Sequence, residues 1–405
     1  MVYMIAASAS CICTGSGTLS SKLLQKIRNP AGISRTKSNY LLESIGPDAT
    51  ERSVWQYARE NKIGKDRERM KQVLKLVGVA TLGLALLISA GCGGSEKKAE
   101  APKAPEKITL KFGHLADEKN TWHLGALKFK EIVEKNSNGR IEVKVYPNEQ
   151  LGNEKALVTS IQNGTADMGI FGETLTTFGA SKTILMATPY LLKDAAQLHK
   201  VAGGEVGKEI EAQVIEKAKI RPIGYFERGP RDLTSNRPIK TPDDLKGLKL
   251  RVPNVPLFVD TWQALGAKPI PMAFSEVFTS LQQGAIDGQE NPYALIRSSN
   301  LFEVQKYLNK TAHVRSWIYV CIGEKKFQSL PPDLQKVVLD AGKEMQKYEN
   351  ELFLKGEKEL EAFLKTKMTF VDVDIAAFQK KAAEAVLAKF DADQKALYNK
   401  VINMK

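Results

Sequence analysis

Cysteine is scarce in this sequence. The 405 residues hold four, Cys11, Cys13, Cys92 and Cys321, without the paired spacing of a metal site. Histidine is no more frequent: His114, His123, His199 and His313 are scattered, and each reads as a surface or satisfied polar residue rather than a ligand or base. No His-Glu-x-x-His, Walker phosphate loop, Gly-x-Ser-x-Gly or Gly-x-Gly-x-x-Gly occurs. These gaps argue against an enzyme, and neither a metal nor a cofactor is expected. Basic runs interleaved with aromatics are also missing, so the net charge of +13 does not indicate nucleic-acid binding. Residues 1–75 carry 13 basic and 6 acidic residues, a net of +7, which leaves +6 for the other 330. What is present is ordinary for a folded chain: 43% hydrophobic and 26% charged residues, enough for a large core and one to three domains.

The most informative local feature runs from Met70 to Cys92. Met70-Lys71-Gln72-Val73-Leu74-Lys75 is followed by fifteen apolar or small residues, Leu76 to Ala90, and then Gly91-Cys92-Gly93-Gly94. A basic start, a short apolar stretch and small residues before a cut make a secretory signal. The stretch is short for a membrane span, which needs about 20 residues. Ile88-Ser89-Ala90-Gly91-Cys92 resembles the bacterial lipoprotein signal, in which the cysteine is acylated, although Ser89 stands where that signal usually has Leu. The expectation is therefore a signal at 70–91, a start at Met70, and residues 1–69 as an upstream extension; a genuine cytoplasmic tail is the rival reading. Residues 92–106, charged and bearing Pro102 and Pro105, read as a flexible tether. In such a mature chain Cys321 is the one free thiol, and stability rests on the core.

From Lys107 the pattern becomes that of a folded domain. Ile108, Leu110 and Phe112 alternate as in a strand, and Trp122, Ala126, Phe129, Ile132 and Val133 recur at helical spacing up to Asn138-Gly139. Ile141, Val143 and Val145 make a second strand, and a helix over 154–162 follows. Such alternation predicts an α/β architecture with mainly parallel strands. A weak internal repeat matches Ser160-Ile161-Gln162-Asn163-Gly164-Thr165-Ala166-Asp167 to Ser280-Leu281-Gln282-Gln283-Gly284-Ala285-Ile286-Asp287, and favours two related domains facing a cleft over one continuous sheet. Thr241-Pro242-Asp243-Asp244 predicts a capped helix start, and 248–252 a strand. Residues 332–366 form a long charged helix with Leu334, Val337, Val338, Ala341, Met345, Tyr348 and Leu352 as its apolar positions, either a surface helix or a brace across both domains. Two shorter helices are expected near 376–390 and 392–403.

Polar groups stand in unexpected places in the middle of the chain. Arg251 interrupts an apolar strand between Leu250 and Val252, just before Pro253-Asn254. Ligands of open α/β sheets gather at the carboxyl ends of strands. A guanidinium there offers two parallel donors that match a carboxylate. Asn291, in Gly288-Gln289-Glu290-Asn291-Pro292, follows a predicted strand end and could bond the same anion. An edge-strand arginine paired with a nearby acid, and a simple turn before proline, are the plainer readings of these two residues.

Four segments carry a family resemblance: Thr234-Ser235-Asn236-Arg237; Leu245-Lys246-Gly247-Leu248-Lys249-Leu250-Arg251-Val252-Pro253; Pro271-Met272-Ala273-Phe274-Ser275-Glu276-Val277; and Gln283-Gly284-Ala285-Ile286-Asp287-Gly288-Gln289-Glu290-Asn291-Pro292. They resemble the substrate-binding subunits of TRAP (tripartite ATP-independent periplasmic) transporters, of the DctP family, in both the sialic-acid- and C4-dicarboxylate-binding branches. The resemblance runs from about Ile108 to the end of the chain. It implies a two-domain hinged fold like that of periplasmic binding proteins, with a long bridging helix, closing on an organic acid. Domain I would be 107–228 with 317–356, and domain II 229–316 with 357–405. Carried over by motif, Arg251 would hold the ligand carboxylate, assisted by Asn291. Arg231 would add a second positive contact and Asn254 a polar one, while Phe274 would pack on the apolar face. Glu173 would accept hydrogen bonds at the far end of the pocket. The match fails at Gly113-His114-Leu115-Ala116, where the sialic-acid branch has an amide in place of Leu115.

A carboxylate such as Glu173 accepts from hydroxyls and repels a second carboxylate, which favours a sugar acid over a dicarboxylate. The expected protein is thus a monomeric receptor, lipid-anchored at Cys92 and extracytoplasmic, handing an organic acid to TRAP membrane permease subunits. A solute sensor for a signalling receptor and a secreted enzyme on a similar scaffold are the alternatives.

Overall fold

The computed structural model describes residues 107–404. The expected extension (1–69), signal (70–91), acylated Cys92 and tether (92–106) lie outside the described residues. The alternating segments form strands as expected: β1 (Ile108–Gly113) and β2 (Ile141–Tyr146) flank helix α1 (Thr121–Asn136). Asn120 caps α1 by accepting from the Trp122 amide, and Asn138 and Gly139 turn the chain out of it with positive φ. Helix α2 (Glu154–Asn163) leads to β3 (Met168–Phe171). Two short helices, α3 (Ala195–Ala202) and α4 (Glu205–Gln213), precede the 16-residue strand β4 (Ile220–Ser235). The second half repeats the alternation with β5 (Lys249–Val252), α5 (Pro256–Leu265), β6 (Lys268–Pro271), α6 (Val277–Gln282), β7 (Gly288–Asn291) and α7 (Tyr293–Ser298). The 17-residue strand β8 (Tyr307–Gly323) crosses back, followed by α8 (Glu324–Ser329), α9 (Pro332–Lys365), β9 (Thr369–Val371), α10 (Ile375–Leu387) and α11 (Ala392–Ile402).

The expectation of two domains in preference to one continuous sheet is corrected as to the sheet, which is continuous. The nine described strands form one sheet in the order β2-β1-β3-β8-β4-β7-β5-β6, with β9 beside β8. Within each half the neighbours are parallel: β1 with β2 and β3, and β5 with β6 and β7. The seam is antiparallel, made by β8 against β3, β4 against β8 and β4 against β7. Continuity follows from length. At about 3.3 Å per residue β4 and β8 each span roughly 50 Å, long enough to serve both halves. Their register shifts between Arg228 and Arg231 and again between Arg231 and Leu233, which bends the seam midway.

The internal repeat is structural as well as sequential. Asp167 Oδ2 accepts from the Lys111 amide at 2.8 Å, and Asp287 Oδ2 accepts from the Lys249 amide at 2.9 Å. Lys111 Nζ reaches the Thr165 carbonyl and Lys249 Nζ the Gly284 carbonyl. Gly164 and Gly284 end the paired helices with φ of 84° and 68°, a conformation that disfavours side chains. In each half an aspartate therefore locks the helix-to-strand turn onto the next strand of the sheet.

Helix α9 is the expected brace. Its buried face, Leu334, Val338, Ala341, Met345, Phe353 and Leu364, packs on α1 in the first half, on β4, and on α7 in the second. The capped start at Thr241 is a single 3₁₀ turn, Pro242–Leu245, held by the Thr241–Asp244 capping box. Helix α10 packs on α5, whereas α11 packs on α4 and on the 3₁₀ turn Ser181–Ala187. Gln394 Nε2 donates to the Ser181 carbonyl there, and Lys400 pairs with Glu209.

Candidate functional site

A cleft opens where the carboxyl ends of β3, β5 and β7 meet the bent seam. Its walls hold three guanidiniums, Arg228, Arg231 and Arg251, with Glu154, Glu173, Asn291 and the apolar Leu115, Trp122, Phe274 and Ile318. Of the residues expected from sequence, Arg231, Arg251, Asn291, Glu173 and Phe274 come together here. Asn254 is not among the lining residues; its neighbour Pro253 is.

The three arginines are all buried, and they differ in what they touch. Arg231, in β4, donates from Nε to Glu290 Oε2 at 2.5 Å and from Nη2 to Glu290 Oε1 and its carbonyl, both at 2.7 Å. Glu290 also bonds His313 Nε2 at 2.8 Å. Burial works against the Glu290 carboxylate, but Arg231 overrides it and brings the pKa down to about 2. Arg228 pairs with Glu173 through Nη2–Oε2 at 2.6 Å and donates to Ser316 Oγ at 2.5 Å. Its Nε has no partner.

Arg251 stands apart. It is 4% exposed, and among the described residues no carboxylate pairs with it. Its Nε and Nη2 both donate to the Met272 carbonyl, at 3.1 and 2.7 Å. That grip fixes one edge of the guanidinium and leaves Nη1 and a second Nη2 hydrogen for the cleft. Phe274 covers the cation, with the ring centroid 5.7 Å away. Burial, with repulsion from Arg231 added, lowers its pKa to about 10 against the pull of Glu290. A buried guanidinium without an acid is costly unless something anionic completes it. The plainer reading of Arg251, an edge-strand ion pair, is thereby set aside. Asn291, at the end of β7 and 2% exposed, donates one amide hydrogen to Gln289 Oε1 at 2.6 Å and keeps another.

The far wall is acidic. Glu173, 4% exposed, sits in the grip of Arg228 rather than free in the pocket. That pairing largely cancels the negative field on which its expected repulsion of a second carboxylate depended. Glu154 stands beside Glu173 on the same wall. Burial and repulsion from Glu173, opposed by Arg228, push its pKa up to about 7, and Thr174 Oγ1 donates to its Oε2 at 3.1 Å. Sequence reasoning missed Glu154, Arg228, Glu290 and His313 as parts of this assembly. The first two had a legible signal: Glu154 opens a helix after a strand end, and Arg228 lies near the Gly229-Pro230 break in β4. Histidines expected to be scattered also come together, since His114 Nε2 lies 3.1 Å from His123 Nδ1 behind the cleft wall. Burial lowers the pKa of both rings, that of His114 to about 3, so His114 is neutral at ordinary pH.

Two halves of one α/β pattern, joined by two long strands and a brace helix, with a charged cleft between them, define a two-lobed solute-binding protein. The chain belongs to the DctP family of bacterial extracellular solute-binding proteins, family 7, whose model matches residues 112–393. A solute-binding protein of Roseobacter denitrificans is 56% identical over 284 residues, covering 70% of this chain and 87% of the relative. The crystal structure of a TRAP periplasmic solute-binding protein from that organism, with bound L-galactonate, superposes with a TM-score of 0.72 at 52% identity, covering 74% of this chain and all (100%) of the other. The C4-dicarboxylate-binding periplasmic protein DctP of Rhodobacter capsulatus is 33% identical over 316 residues, covering 77% of this chain and 90% of the relative.

Proposed function

We propose that this protein is the extracytoplasmic receptor of a TRAP transporter, that it captures a hydroxylated monocarboxylate of the sugar-acid type, and that it passes the acid to membrane permease subunits. The observation that carries this is Arg251, a buried guanidinium held by the Met272 carbonyl, with donors remaining for the cleft and no carboxylate paired with it among the described residues. The ligand carboxylate supplies that acid, with the free Asn291 amide hydrogen beside it and Phe274 against the carbon chain. The charge balance of the cleft supports a single anionic group. Arg231 is matched by Glu290 and Arg228 by Glu173, which leaves Arg251 as the unpaired cation, while burial and Glu173 hold back the ionisation of Glu154. A second carboxylate would find no further unpaired guanidinium, because Arg228 and Arg231 are already matched, whereas the oxygens of Glu154 and Glu173 accept from hydroxyls. The L-galactonate bound by the Roseobacter protein is an acid of this kind.

The lobes we propose are 107–228 with 317–356 and 388–404, and 229–316 with 357–387. Cys92 is proposed as the lipid attachment point, and the protein as a monomer.

Isothermal titration with L-galactonate, L-gulonate and D-galacturonate against succinate and malate tests the reading. Sugar-acid binding with weak or absent dicarboxylate binding is expected; tight succinate binding without sugar-acid binding would overturn it. Arg251→Lys keeps the charge but loses the fork, so the dissociation constant should rise about tenfold or more, roughly 1.4 kcal/mol. Unchanged affinity removes Arg251 from the site.

A further inference from the structure

The first turn of α1 makes three different contacts with three consecutive residues. Asn120, the cap residue, is 3% exposed; its Oδ1 holds the Trp122 amide at 3.0 Å, and its Nδ2 donates to Ser298 Oγ at 3.3 Å. Ser298 ends α7, so this bond joins the first half of the molecule to the second. Thr121 Oγ1 donates to Glu349 Oε1 on the brace helix α9 at 2.6 Å. Trp122 lines the cleft, as does Leu295, one turn before Ser298 on α7. The triangle closes on its third side, because Arg297 of α7 lies over the Phe363 ring of α9, 3.9 Å from its centroid. None of Asn120, Thr121, Ser298 or Glu349 lines the cleft.

We infer that the Asn120–Ser298 hydrogen bond is a closure latch, which holds the two lobes together over a bound acid and governs how fast that acid leaves. The inference rests on the receptor reading above. Its physical content is simple. The bond joins elements of different lobes at the rim of the cleft, so it exists when the lobes are closed and must break when they part. It adds nothing to the first encounter, which occurs before closure. Asn120 is suited to the task because the cap fixes its side chain beforehand, so little rotamer freedom is lost when Ser298 arrives. Through Thr121 and Glu349 the same turn is tied to the brace, which steadies the Asn120 side of the latch.

Asn120 itself is a poor site for the test, because its loss would also uncap α1. Ser298→Ala removes the latch from the other side and leaves the cap in place. Stopped-flow or surface binding with L-galactonate as the probe should show release about 2–10-fold faster and association unchanged, the range expected from one hydrogen bond. The melting temperature of the ligand-free protein should stay as in wild type. Ser298→Thr, which restores a hydroxyl, should restore slow release. Binding by wild type together with unchanged release from Ser298→Ala overturns the latch alone. Equal slowing of association and lowering of the ligand-free melting temperature assigns Ser298 a structural role inside its own lobe, and also overturns it. Wild-type protein that binds none of the acids removes the receptor reading and the latch with it.

Discussion

Glu349 shows what a single buried residue contributes. It lies fully buried on α9, takes one hydrogen bond from Thr121 on Oε1, and has no partner on Oε2. Burial, with Glu227 nearby, raises its pKa from 4.5 to about 8. The folded protein therefore keeps a proton that the unfolded chain releases above about pH 4.5. Stability conferred by this group is greatest at low pH and is lost as pH rises towards 8. Gln keeps the acceptor that Thr121 needs and cannot ionise. We expect Glu349→Gln to match wild type in denaturant melts at pH 5 and to exceed it at pH 8.5, by on the order of 2–4 kcal/mol. Equal stability at both pH values would show that Glu349 is not held protonated. Glu349 also marks the limit of residue-level reading. Arg251 stood out in sequence because charge interrupts an apolar strand, whereas Glu349 looks like one more charge in a charged helix. Its burial depends on what α9 crosses, and no local signal carries that.

At the scale of elements, α9 and β4 approach so closely that side chains are excluded. A Cβ on Gly342 would lie 2.1 Å from the Ile223 carbonyl oxygen, and one on Gly224 2.9 Å from the Gly342 carbonyl oxygen. Both obstacles are backbone and cannot rotate away. Gly342→Ala must therefore push the brace off the seam strand, even though alanine favours helix by about 1 kcal/mol. Crowding of a close-packed contact of this kind costs about 1–3 kcal/mol. Thermal denaturation should show a clear loss of stability, and an unchanged midpoint would mean that the two backbones are not in contact. The elements themselves were mostly legible, because 108–112, 141–145, 154–162 and 332–366 carry clean periodicity and firm stops. The phase of the long helix was less legible. Tyr348 and Leu352 are among the apolar positions of α9, but Glu349 and Phe353 are the residues buried there. A 3.6-residue period drifts over 34 residues, and the side facing the core shifts with it.

The molecule as a whole is two copies of one pattern sharing a spine. The sequence repeat at 160–167 and 280–287 made the duplication readable, since it preserves the aspartate that locks each helix-to-strand turn. It could not disclose the shared sheet. The lengths of β4 and β8 are hidden by Gly229-Pro230 and by polar residues such as Asn309, Thr311 and His313, which are buried at the seam. The spine has a thermodynamic consequence. Neither lobe contains its own copy of β4, β8 or α9, so neither can melt without exposing the core of the other. Calorimetry on residues 107–405 should give a single transition, with calorimetric and van't Hoff enthalpies in agreement. Two resolved transitions would show that the lobes fold independently and that the continuous sheet is not a cooperative unit. A bound acid acts on the same equilibrium. At 100 times its dissociation constant it should add about 2.7 kcal/mol and shift that one transition upward intact, because the cleft it closes is built from both lobes.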